Sequence, residues 1–250
     1  MCSTTNQYVM SNQLHLISFN IDAWSANSLG INDLPDWQQW SQTHQWPEDE
    51  TIESGLIPPM MRRRMSPLSK LAVQTAIHLL QEESIDYLVF SSRHGELRRS
   101  AEIIKNILAG EEASPMNFSQ SVHNTAAGLS TIATKQAIPV TSIAAGDNTF
   151  HSALIEAWIY LKQYPNAKVL LVDFDEPLPD DYSEYEDKQF KGYALGLILS
   201  AGNTWQVAQC EKMDTISTLP QALSFLTHYL CKQPHWIIEG ERTSWEWQQA

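Results

Sequence analysis

Few side chains of this sequence stand where chemistry is usually done. There are three cysteines, Cys2, Cys210 and Cys231. Their odd count, wide spacing and lack of a Cys-x-x-Cys pair argue against a disulfide framework or a thiolate zinc site, and fit a reducing cytoplasm. The eight histidines are scattered, with no His-x-His, His-Glu-x-x-His or His-Asp pair at metal spacing, so no metal is expected. His123 and His151 read as packed or surface histidines rather than working bases. The segment 173–187 carries eight carboxylates. It lacks the Asp-x-Asp-x-Asp-Gly order of a calcium loop and reads as a solvated loop. Asp147 falls between a strand pattern and a helix pattern, the natural place for a helix N-cap. Arg62, Arg63 and Arg64 form the one dense basic patch, read first as a loop paired with local carboxylates. No cofactor motif is present.

The elements that must position these residues are legible mainly from residue 66 onward. The stretch 14–21 (LHLISFNI) reads as a strand. From 22 to 65 the chain is rich in Trp and Pro and is expected to be an irregular insertion. Ser66-Pro67 is an N-cap followed by proline at the first helical position. Leu68, Leu71, Ala72, Thr75, Ala76, Leu79 and Leu80 follow at helical spacing, which predicts a helix over 66–82. Strands are predicted at 86–91, 139–145, 168–174 and 192–201, and helices at 96–108, 124–136 and from Phe150 to Leu161. The strand KVLLVDF is apolar on both faces, as in a central parallel position. A helix at 220–231 and a strand at 235–239 complete a strand-helix-strand extension over about 202–250. Alternation of strands and helices makes an α/β fold, one domain over 1–250, with helices covering a five-stranded, mostly parallel sheet. The net charge of −13 disfavours nucleic acid and anionic lipid as partners. No apolar run reaches the roughly 18 residues of a membrane span, and the polar start offers no readable export signal.

From 118 to 161 the sequence runs FSQSVHNTAAGLSTIATKQAIPVTSIAAGDNTFHSALIEAWIYL. This resembles the β-ketoacyl synthases of the thiolase superfamily. In them an Asn-x-x-Ala-Gly helix leads through a Gly-Pro turn to a Ser-Ile-x-x-Ala strand, which ends in the nucleophilic cysteine at the start of a buried helix with a Glu-Ala pair. Asn124, Ala127 and Gly128 match the first helix, Pro139 the turn, Ser142, Ile143 and Ala144 the strand, and Glu156 and Ala157 the buried helix. The likeness covers about two thirds of the chain and implies a thiolase-like half. It is looser outside the centre, where 86–91 with Gly95, KVLLVDF and GYALGLILSA match weaker family features.

The departures carry the functional reading. The nucleophile position holds Asp147, with Gly146 beside it, and neither replaces a polarisable thiolate. The family's His-Gly-Thr-Gly and Asn-x-x-Gly-Phe-Gly-Gly contexts, which carry its two catalytic histidines, do not occur. Such a pattern resembles chain-length factors, and at this length it is similar to the partner of the ketosynthase in aryl polyene pathways. The resemblance implies a non-catalytic subunit in a cytoplasmic heterodimer with a catalytic β-ketoacyl synthase, with an acyl carrier protein docking mainly through that partner. Met116, Asn117, Phe118 and Val122 would line the partner's acyl tunnel. Pro139, Val140, Thr141, Ser142, Ile143 and Ala144 would form an edge strand pairing with the partner. Arg62, Arg63 and Arg64 take a sharper reading here, as a contact for the partner or the carrier. Two alternatives stand: an acyl-thioester hydrolase or decarboxylase using Asp147, and a scaffold that stabilises its partner.

Overall fold

The structure, a computed structural model, describes residues 16–213 and 217–250. Leu14 and His15 of the expected first strand, and Cys2, lie outside the described residues. The elements in chain order are β1 (Leu16–Ser28), α1 (Leu34–Thr43), α2 (Pro59–Arg62), α3 (Pro67–Glu82), β2 (Tyr87–Ser91), α4 (Leu97–Leu108), α5 (Pro115–Ser119) and α6 (Thr125–Thr134). These are followed by β3 (Val140–Ile143), α7 (Thr149–Gln163), β4 (Lys168–Asp175), β5 (Tyr193–Cys210), α8 (Gln221–Leu230), β6 (His235–Ile238) and β7 (Ser244–Gln249). No helix among the described residues is long and apolar enough to cross a membrane.

The strands form one mixed sheet in the order β3-β2-β4-β5-β7-β6, with β1 paired to β5. Alternation along β4 shows why its sequence is apolar throughout. Val169 and Leu171 face the layer of α7, whereas Leu170, Val172 and Phe174 face α3, and all five are buried. Each such apolar side chain contributes about 1.5–3 kcal/mol on burial. The Ser66 hydroxyl accepts from the Ser69 N–H at 2.9 Å and caps α3, as its sequence implies. A Cβ at Gly196 of β5 would lie 2.5 Å from Leu79 Cδ1, so glycine lets α3 approach the sheet closely.

The α/β class is as expected, but the sheet is larger and less parallel than the sequence suggests. It has seven strands. Only β2–β3 and β2–β4 pair parallel; β1–β5, β4–β5, β5–β7 and β6–β7 are antiparallel. The physical reason is β5. It does not stop near Ala201 but bulges and continues, taking β7 as its neighbour from Trp205 onward. At the bulge, Phe19 pairs with Trp205 while Asn20 pairs with Ser200. The Asn20 side chain clasps the excursion, accepting from Thr204 Oγ1 at 2.8 Å and donating to the Ala201 carbonyl at 3.4 Å.

The stretch 22–65 is also more regular than expected. β1 runs on through Ser28, and α1 follows, its N-cap Asp33 accepting from the Asp36 N–H at 2.9 Å. Pro35 sits in the first turn, where a proline initiates rather than breaks a helix. Trp37 and Trp40 are 1% exposed, stack edge-on, and bury α1 against the β1 side of the core, where Trp37 Nε1 donates to the Ala26 carbonyl at 3.0 Å.

Candidate functional site

The site is built at the N-terminus of α7. The chain turns there through Gly146, whose φ of +57° favours glycine. Thr149 Oγ1 donates to the Gly146 carbonyl at 2.7 Å and accepts from the Ala145 N–H at 2.9 Å, which fixes the turn. Asp147 does not cap the helix. The N-cap position is Asn148, whose Oδ1 accepts from Trp245 Nε1 at 3.0 Å and Gln221 Nε2 at 3.1 Å. Asp147 instead turns to two cations, Arg93 Nη1 at 3.2 Å and Lys188 Nζ at 4.0 Å. Arg93 comes from the turn after β2 and also donates to Asp187 Oδ1 at 3.1 Å.

Below this cluster, β4 ends in a row of buried carboxylates. Asp173 accepts from Ser91 Oγ at 2.6 Å and from the Tyr193 hydroxyl at 2.7 Å. Asp175 accepts from Ser92 Oγ and the Arg93 N–H, both at 2.8 Å, and from the His94 N–H at 3.4 Å. Glu176 meets Arg98 Nε at 3.4 Å. Burial, helped by the neighbouring Asp175 charge, pushes Asp173 up to about 7. Burial raises Asp175 to about 6 against its hydrogen bonds; burial, with the charges of Glu96 and Asp175, raises Glu176 to about 7 against Arg98. Arg93, Asp147, Asp173, Asp175, Asp187 and Lys188 line a cleft of about 220 Å³. Among the described residues no cluster of His, Cys, Asp and Glu could hold a metal ion.

The histidines divide. His94 borders the cleft, and burial and then the Arg93 charge lower its pKa. His151 lies behind the cleft, fully buried. Its Nε2 accepts from Trp247 Nε1 at 3.0 Å, so its proton is on Nδ1, which donates to Gln221 Oε1 at 2.6 Å. Burial lowers its pKa to about 3. The ring therefore stays neutral, with both nitrogens engaged, and serves as a structural tie between α7 and β7. His123 donates from Nε2 to the Ser92 carbonyl at 2.8 Å. Neither described cysteine borders the cleft.

The other sequence-derived residues lie elsewhere. Met116, Asn117, Phe118 and Val122, on and just after α5, are exposed, Phe118 to 66%, and none borders the cleft. Thr141, Ser142 and Ile143 are half-buried on β3, with Val140, Pro139 and Ala144 exposed, and β3 occupies one end of the sheet. Ala157 is fully buried, while Glu156 accepts from the Tyr87 hydroxyl at 2.9 Å. Arg62 donates to the Ser54 carbonyl at 3.1 Å rather than to a carboxylate. Sequence reasoning missed Arg93, Asp187 and Lys188, which converge on Asp147 from separate segments. The one available signal was the mixture of Asp187 and Lys188 at the end of the acidic stretch.

A parallel core continued by antiparallel strands, with α3 on one face and α7 on the other, defines a thiolase-like half. Residues 37–248 match the β-ketoacyl synthase N-terminal domain, and the chain belongs to that family. Among solved structures, one match is to a chain in the complex of the ketosynthase ApeO with its chain length factor ApeC from Xenorhabdus doucetiae. It has a TM-score of 0.86 and 32% identity over 93% of this chain and 100% of that one. The ishigamide ketosynthase/chain length factor matches with a TM-score of 0.61 and 15% identity, over 80% of this chain and 68% of that one. The ketosynthase from module 1 of the bacillaene synthase of Bacillus amyloliquefaciens FZB42 matches with a TM-score of 0.53 and 8% identity. There this chain covers 47% of the other, with 80% of its own length aligned. No curated protein matches.

Proposed function

We propose that this chain is a non-catalytic, chain-length-factor-like subunit that pairs with a catalytic β-ketoacyl synthase and shapes its acyl tunnel. The observation that carries the reading is Asp147 in a ketosynthase fold, held between Arg93 and Lys188 where the family places its thiol. A carboxylate engaged by two cations is a poor nucleophile, and transthioesterification needs a thiolate. The match over the whole of a chain in the ApeO/ApeC complex supports the same reading. In the pair, the partner supplies the thiol that carries the acyl chain. Loss of CO₂ from a carrier-bound malonyl unit then generates the carbanion that attacks the acyl carbonyl. Aryl polyene chains are the proposed products, made in the cytoplasm with the carrier protein docking mainly on the partner.

The surface fits a tunnel-wall role. Met116, Phe118 and Val122 present apolar side chains outward, and the adjoining α4 exposes Ile104, Ile107 and Leu108. Apolar groups left open on neighbouring helices mark a surface meant to be covered. The test is to co-express Phe118→Ala and Met116→Ala variants with the ketosynthase and read product lengths by mass. Longer products are expected, because overfilling a packed wall costs about 1–3 kcal/mol and truncation removes that block. Heterodimers that assemble but give unchanged lengths would leave a scaffold. A hydrolase or decarboxylase using Asp147 would require turnover of acyl or malonyl thioesters by the purified chain.

A further inference from the structure

The cleft at Asp147 is bordered through Glu186, Asp187, Lys188 and Phe190 by a segment with unusual attachments. Residues 177–191 connect β4 to β5 and include a short 3-10 turn, Asp180–Tyr185. The root is fixed by Glu176 on Arg98. The far end is fixed by the Gln189 N–H on the Thr218 carbonyl at 2.7 Å and by Phe190 against Tyr193. Between these anchors the segment is held to the body through ion pairs. Lys105 meets Asp181 at 2.6 Å, and Arg93 meets Asp187 at 3.1 Å. Lys188 is held more firmly, because its Nζ also donates to the Ser217 carbonyl at 2.9 Å.

We propose that the stretch 178–187 is a pH-sensitive cover of this cleft, closed while the carboxylates at the end of β4 are protonated and released when they ionise. The proposal does not depend on the function assigned above. Its basis is that one residue, Arg93, meets three carboxylates on three elements, two through its guanidinium and the third through its backbone N–H. Arg93 pairs with Asp147 at the start of α7 and with Asp187 on the cover, while its own N–H holds Asp175 at the end of β4. With Asp173 and Asp175 neutral, the charge of Arg93 goes to Asp147 and Asp187, and the cover is tied down. With both ionised, two buried negative charges lie under the turn that carries Arg93, and the charge of Asp175 draws on its guanidinium. Asp187 then faces them, and Asp147, with less compensation.

The groups around this pair set the direction. Ser91, Ser92 and Tyr193 donate hydroxyl hydrogen bonds from β2, its following turn and β5. His94, its pKa lowered by burial, adds an N–H. Glu186 is spent on the Leu178 and Lys188 N–H groups of the cover itself. From the C-terminal wall, Lys212, Glu239 and Glu241 border the cleft. Glu176, between Glu96 and Arg98, ionises onto Arg98 and keeps the root in place, so release is a swing of the middle of the cover. Asp173, Asp175 and Glu176 change state at about 7, 6 and 7, within the range a cell experiences.

Hydrogen–deuterium exchange of the full chain, read on peptides within 178–187 and corrected to a common intrinsic rate, tests this. The expected result is protection several-fold lower at about pH 8 than at about pH 5.5, while peptides of β4 stay protected. Asp173→Asn should keep the cover protected at both values. Asp187→Asn, at a half-exposed side chain that does not endanger folding, should leave it open at both. Equal protection of the wild-type cover at the two pH values would overturn the proposal. So would a wild-type drop that persists in Asp187→Asn.

Discussion

Replacing Asp147 by cysteine would put a thiol at the turn into α7, yet the side chains around it show why activity should not follow. The new thiol would sit near Arg93 and Lys188, which favour its thiolate. Of the described histidines only His94 borders the cleft. His151 is turned away, with both nitrogens engaged, and the family's two histidine contexts do not occur in the sequence. Members of a catalytic unit are strongly non-additive, so returning one recovers little. Purified Asp147→Cys is expected to be alkylated faster than wild type at neutral pH, and to give no elongated product with acyl and malonyl carrier substrates. Elongation by that variant alone would refute the non-catalytic reading. Asp147 itself was legible, because one ordered motif series leads to it. Arg93 and Lys188 were not: each looks like an ordinary surface cation until β2 and the 177–191 segment bring it to α7.

Among the elements, β3 permits the sharpest test. It has a neighbour, β2, on one side only, and an uncovered edge invites pairing with another chain. Proline at Ser142 would remove a backbone donor and strain the ladder. Ser142→Pro is therefore expected to abolish stoichiometric co-purification with the ketosynthase while leaving the far-ultraviolet spectrum of the chain close to wild type. Retained co-purification would mean that the partner docks elsewhere. The core elements from α3 to β4 were readable because caps, spacing and two-sided apolar runs agree there. Two other readings failed for identifiable reasons. Gly202 and Asn203 look like the end of a strand, but the Asn20 clasp turns them into a bulge within β5. Trp245 and Trp247, alternating in SWEWQQ, are the inward face of β7, yet so short a run near the C-terminus gave no strand signal.

At the scale of the molecule, the buried titrating groups set opposing pH dependences. Asp173, Asp175 and Glu176 have folded-state values raised above their ordinary range. Their contribution is therefore full below about pH 4 and is lost as pH rises to about 7. His151 is depressed to about 3; its contribution is full above about pH 6.5 and is lost as pH falls through about 3. Between about pH 4 and 6.5, three groups pull one way and one the other. Denaturant midpoints measured across that range should fall less steeply with rising pH in Asp173→Asn. The difference should be on the order of a few kcal/mol at most. An unchanged slope would show that Asp173 is not held neutral. The long antiparallel pairing of β1 with β5 has a different kind of consequence, in time rather than energy. β1 ends at Ser28 and its partner begins at Tyr193. A ribosome adding about 5–20 residues per second needs roughly ten to thirty seconds to bridge that interval. Throughout it the nascent chain carries β1 without the strand it pairs with, and a tryptophan-rich α1 whose neighbour α8 is not yet made. The gap between β1 and β5 thus opens a window in which a chaperone or a partner chain can reach the nascent chain before it closes on itself.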